Sequence, residues 1–74
     1  MSAKEWLDQN RSKFCPLFYE AKSTEIHHRD LLLQIGDIVS SHPNATNALS
    51  FLGKLVDESN KMIESLDRGI ERLC

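Results

Sequence analysis

A chain of 74 residues with a formal net charge of −2 is one domain at most, and at that size a lone core is marginal without a disulfide, a metal or a partner. Hydrophobic residues at 41% and charged residues at 27% exclude an intrinsically disordered chain, and the scatter of basic among acidic residues argues against nucleic acid or an anionic membrane as partner. Apolar runs such as Leu31-Leu32-Leu33 fall far below the roughly 20 residues of a membrane span, so no membrane span is expected.

Ser2-Ala3-Lys4-Glu5 has the pattern of a capping box, with the serine hydroxyl placed to accept from the backbone N–H of Glu5. It predicts a short helix over about 2–14. The same stretch lacks the apolar core of a signal peptide, which makes a cytoplasmic protein the expectation. Pro16 has no N–H to donate and disfavours helical geometry at Cys15, so the first helix should end or kink near residues 13–15. Proline fits a first helical turn, and a second, long helix is expected over about 16–40.

In that second helix Leu17, Phe18, Ala21, Leu31, Leu32, Ile35, Ile38 and Val39 fall on one face. Written as heptads, Phe14, Ala21, His28 and Ile35 take a, Leu17, Thr24, Leu31 and Ile38 take d, and Phe18, Leu32 and Val39 take e. Ser40-Ser41-His42-Pro43-Asn44 is the compact breaker of the second half, giving a turn at 41–44 with Asn44 as the expected N-cap of the last helix. So tight a connection makes the flanking helices antiparallel neighbours.

The last helix is expected over about 45–73. Leu49, Val56, Ile63 and Ile70 take a, Ala45, Leu52, Ser59, Leu66 and Leu73 take d, and Ala48, Leu55, Met62 and Gly69 flank them at g. An apolar stripe three positions wide exceeds the seam of a two-stranded coiled coil and suits a bundle. The fold class is therefore all-α: one domain, 1–74, an antiparallel helical hairpin with a short N-terminal helix, completing a bundle by oligomerisation. Val and Ile at a with Leu at d also suit a parallel two-stranded dimer, the rival arrangement.

Ser59 interrupts the seam. Counting outward from the turn brings Thr24 and His28 level with it, so Thr24, His28 and Ser59, with Asn60 beside them, are expected to form a polar layer that fixes register. A sharper alternative is a metal-binding helical bundle, because Glu25-Ile26-His27-His28 contains the Glu-x-x-His spacing of di-iron bundles. Those sites need further inward carboxylates, whereas Ser59 occupies the facing position; no metal or other cofactor is expected. His27 reads as a surface residue and His42 as a capping or surface group.

Gly36, Gly53 and Gly69 are isolated and form no phosphate loop; Gly53 and Gly69 read as points of close helix approach. Cys15, among Phe14, Leu17 and Phe18, is expected as a buried reduced thiol, and Cys74 as an exposed one able to cross-link two chains. Asn44-Ala45-Thr46 matches a glycosylation sequon expected to be silent in a protein that is not secreted. With no oriented nucleophile and base, the chain is not expected to be an enzyme.

The expected function is a helical protein–protein interaction or assembly module, an adaptor, chaperone or regulator. It would act through an apolar groove as a homodimer or with a partner's amphipathic helix, with Trp6, Phe14, Phe18, Leu55, Met62 and Leu66 as the interaction surface. The Pro43-Asn44 turn between two helices, with Lys61, Ile63, Asp67 and Ile70 near the end, is similar in outline to needle subunits of type III secretion systems and their small helical chaperones. That outline implies a small subunit or chaperone of a secretion apparatus as a further alternative, and no functional residue is carried over.

Overall fold

The computed structural model describes residues 1–74 and is all-helical, with two helices and no strand. Helix α1 spans Ala3–Val39 and α2 spans Thr46–Leu73. They pack side by side as an antiparallel hairpin about 62 Å long and only 15 Å by 12 Å across, measured between Cα atoms.

The start of α1 follows the capping rule: Ser2 is the N-cap, and its hydroxyl accepts from the Glu5 N–H at 3.1 Å. The expected break at Pro16 is not there. One helix runs through residues 3–39, so the separate short helix over 2–14 is replaced by the first turns of α1. An interior proline forfeits the bond to the carbonyl four residues back and costs about 3 kcal/mol. That carbonyl belongs to Ser12, which is exposed, as is Pro16, so water can serve it. Contacts on both sides of Pro16 tie this stretch to α2: before it, Arg11 Nε donates to the Leu73 carbonyl at 2.9 Å and Cys15 is bonded to Cys74, and after it the Phe18 ring lies against Gly69.

That bond corrects the reading of both cysteines. Cys15 is not a reduced thiol and Cys74 is not free: they form an intramolecular disulfide with Cα atoms 6.0 Å apart, inside the usual span for such a bond. The bond joins the end of α2 to α1 at the level of residue 15. Residues 3–10 therefore project past the last residue of α2, about 12 Å of unaccompanied helix. Trp6 lies on that projection and is exposed, so the N-terminal residues do not fold back over the hairpin's flanks.

At the other end α1 stops in a serine pair. Ser40 Oγ donates to the Asp37 carbonyl and Ser41 Oγ to the Ile38 carbonyl, at 2.7 and 2.8 Å, satisfying acceptors that a helix end leaves open. Asn44 is not the cap of α2. Ala45 holds the N-cap position without a side-chain bond, and the Asn44 N–H instead donates to His42 Nδ1 at 3.0 Å inside the turn.

The expected seam of α2 faces α1 except at Leu49, which is exposed: Ala45, Ser59 and Ile63 are buried and Leu52, Val56, Leu66, Ile70 and Leu73 half-buried. The facing stripe of α1 is not the expected one. It consists of Arg11, Cys15, Phe18, Lys22, Glu25, Arg29, Leu32, Gly36 and Val39, repeating at steps of four and three. In heptad terms these are positions b and e, about 100° round the helix from a and d. Only the e residues Phe18, Leu32 and Val39 are placed toward α2 by the apolar pattern.

Two of the glycines behave differently. A Cβ on Gly69 would sit 2.9 Å from the Phe18 ring, so here the helices do approach closely. A Cβ on Gly53 would meet nothing within 4 Å, which removes close approach as its reason. Gly53→Ala should therefore recover the helix propensity lost to glycine, about 1 kcal/mol, seen as a higher urea midpoint; a lower midpoint would mean that the exposed space at Gly53 is occupied.

Candidate interaction surface

The rotation of α1 creates two sites: a polar layer inside the hairpin and an apolar stripe outside it. Within the layer, Ser59 is 2% exposed and its hydroxyl donates to Glu25 Oε1 at 2.5 Å. His28 Nδ1 lies 3.2 Å from the same carboxylate oxygen and 3.5 Å from Ser59 Oγ. One step along, Arg29 Nη1 donates to Asn60 Oδ1 at 3.1 Å, and Lys22 pairs with Asp67 at 2.6 Å. His28 and Ser59 thus meet, but Thr24 is exposed and takes no part; the residues that complete the layer are Glu25 and Arg29. His28 is itself largely exposed and touches the layer from its edge, so it is no core histidine.

The Ser59 hydroxyl, and after it His28, hold the Glu25 carboxyl below its ordinary value of 4.5, against the opposing pull of burial. A depressed folded value means that Glu25 stabilises the fold above the unfolded value, and that this contribution is lost as pH falls through the folded one. Ser59→Ala should cost about 1 kcal/mol near neutrality, and the gap between variant and parent should narrow well below pH 4.5 as Glu25 protonates. Urea midpoints at neutral and acid pH measure both; a gap that stays constant would remove the Ser59–Glu25 bond as its source.

Chemically the layer offers little. The Ser59 hydroxyl is spent on a carboxylate and sealed from solvent, so it has no path to a substrate. Glu25 and His28 come together as the Glu-x-x-His spacing implies, yet no group of three or more His, Cys, Asp or Glu lies close enough to hold a metal ion. His27 is exposed, and the acidic and basic pairs Asp57-Glu58 and Glu71-Arg72 are solvated.

The stripe outside is the larger feature. With b and e turned to α2, the a and d residues of α1 beyond the half-buried Phe14 face water: Leu17 is 64% and Ile38 74% exposed, and Leu31 and Ile35 are exposed as well. Phe14 and Phe18 meet edge to face with ring centres 6.1 Å apart, and with Leu17, Ala21 and Leu66 they line a shallow apolar hollow. Three of the six residues expected at the interaction surface, Phe14, Phe18 and Leu66, are brought together there. Met62 is exposed and Leu55 half-buried on the same flank of α2, about one and three helical turns before Leu66. Trp6 lies apart from them, on the projecting end. The residues that the sequence reading missed are Leu17, Leu31, Ile35 and Ile38, which it buries against α2.

A second hollow, of about 380 Å³, opens on the opposite side near the turn between Leu32, Leu33 and Gly36 of α1 and Leu49, Leu52, Gly53 and Val56 of α2. No helix is long and apolar enough to cross a membrane. Comparison of the chain with protein-family models, with curated proteins and with solved structures finds no match.

Proposed function

We infer that the chain is a non-catalytic assembly module that presents an apolar helix face to another protein. The observation that carries this reading is the exposure of the α1 stripe. Leu17, Leu31, Ile35 and Ile38 stand in water while the hairpin seals its interior with Ser59, Glu25 and Arg29. Apolar surface of this kind, interrupted at mid-length by Thr24 and His28, marks an interaction site on a small protein more often than a free surface. Aromatic and methionine side chains, here Phe14, Phe18 and Met62, supply much of the energy at such sites and adapt to a partner's shape.

The test is photo-crosslinking in the producing cell, with a photoreactive residue placed at Leu17 or Ile35, and at the exposed Glu64 of α2 as control. Covalent adducts from positions 17 and 35 and none from 64 are the expected result. Equal or absent crosslinking at all three positions would end the reading.

A second reading, that the module works outside the reducing cytosol, is favoured by the Cys15–Cys74 bond. Structural disulfides form and persist in oxidising compartments and are rare in the cytosol. The bond weighs against the cytoplasmic location expected from the N-terminal residues. Alkylating thiols in intact cells before lysis distinguishes the two: an unmodified chain is expected for an oxidising setting, and addition at both cysteines would return the protein to the cytosol.

A further inference from the structure

We propose that the apolar stripe of α1 is covered by a second copy of the same chain, running antiparallel, so that two hairpins close a four-helix bundle. The proposal rests on the assembly reading above and specifies its partner. Three features of the molecule argue for this occupant.

The first is geometry. In a four-helix bundle each helix has two neighbours roughly at right angles around its axis. Positions b and e of α1 already take α2 as one neighbour, and the exposed a and d stripe lies about 100° away, where the second neighbour belongs.

The second is self-complementarity. With a two-fold axis at the level of residue 26, Phe14 faces Ile38 of the other copy, Leu17 faces Ile35, Ala21 faces Leu31 and Thr24 faces His28. Each apolar residue meets an apolar one, small Ala21 meets large Leu31, and the two polar residues meet each other. A parallel pairing would instead set Ala21 against Ala21 and His28 against His28, leaving a void and two like groups in contact. The same axis brings α2 of each copy alongside its equivalent, with the exposed Met62 near the axis, since the layer contacts Glu25–Ser59 and Arg29–Asn60 set residue 26 level with that part of α2.

The third is area. The accessible surface of 5668 Å² exceeds the roughly 4,700 Å² typical of a compact protein of this mass by about 1,000 Å². A standard interface removes about 800 Å² from each partner, so the hairpin exposes enough to supply one.

Sedimentation velocity and charge pairing test the proposal. The parent should sediment as a dimer across the micromolar range. Leu17→Glu and Ile35→Lys, both at exposed positions of the hairpin, should each weaken dimerisation about 100-fold or more by burying an unpaired charge, with helical content unchanged in circular dichroism. Mixing the two variants should restore a dimer, because only the antiparallel pairing sets Glu at 17 against Lys at 35 while leaving the other Leu17–Ile35 layer intact. Ala21→Glu with Leu31→Lys repeats the test one layer inward should the first pair fail to fold. A monomeric parent overturns the proposal, as does a mixture that stays monomeric. The crosslinked adducts separate this failure from failure of the assembly reading: an adduct of some mass other than twice the chain's own, from positions 17 and 35, leaves assembly standing and removes the second copy as occupant.

Discussion

Reduction of the Cys15–Cys74 bond, or Cys15→Ser, should lower the stability of the hairpin by about 4 kcal/mol on the chain-entropy account of a loop this long. The bond closes a sequence separation of 59 residues, so the unfolded chain loses much of its freedom while the folded one has Cα atoms already 6.0 Å apart. The effect is large against the total, because a chain of this length has a stability of roughly 4–11 kcal/mol. Only Leu32, Ala45, Ser59 and Ile63 are buried, which places this protein toward the lower end. Urea unfolding followed by circular dichroism, with and without reductant and at a fixed low protein concentration, measures the change. The expected result is a fall of the midpoint toward zero denaturant, with the ends of the helices losing hydrogen-exchange protection first: Arg11–Phe18 in α1 and Ile70–Leu73 in α2. Equal midpoints would mean that the packed seam alone holds those ends in register.

Ile63→Ala should cost about 2–4 kcal/mol, the range for removing a buried branched side chain and leaving a cavity. Ile63 is among the few buried apolar residues, on the seam of α2 one turn beyond Ser59, and no third layer of structure can collapse onto the space it leaves. The matched control is Ile38→Ala. That residue is 74% exposed in the single hairpin, and its loss should move the midpoint of the dilute protein by no more than about 0.5 kcal/mol. Two isoleucines on the two helices thus differ several-fold in consequence, and comparable losses from both would contradict the rotation of α1 described above. At concentrations where two copies pair, the gap should shrink, because Ile38 then has a neighbour.

The class of the fold, the turn and the seam of α2 are all legible in the sequence, since apolar spacing and helix breakers report local geometry directly. What apolar spacing does not report is which face of α1 turns toward α2. The greasiest stripe, Leu17 to Ile38, reads as the internal one, but Ser59 and Asn60 in the facing seam demand polar partners, and Glu25 and Arg29 supply them from another face. Apolar spacing carries no record of these polar bonds, so it does not predict the rotation. The disulfide carries a signal that is there to count. In a hairpin turning at residues 41–44, residue 15 comes level with about residue 70, one helical turn from the second cysteine at 74. Pro16 misleads because local propensity opposes a helix there, while the contacts of Arg11 and Cys15 on one side and Phe18 on the other outweigh it. Of the interaction surface, Phe14, Phe18 and Leu66 are legible as a cluster, and Trp6 is not separable from them without knowing how far α1 overhangs.

The covalent ring formed by residues 15–74 also sets the path that tension takes through the molecule. A pull applied between Met1 and Cys74 travels along the first fourteen residues of the chain and crosses directly through the sulfur–sulfur link, so residues 16–73 bear no load. The protein can be tugged from its overhanging end without its seam being prised apart. Once the link is reduced, the same force must unzip the two helices from their open end toward the turn.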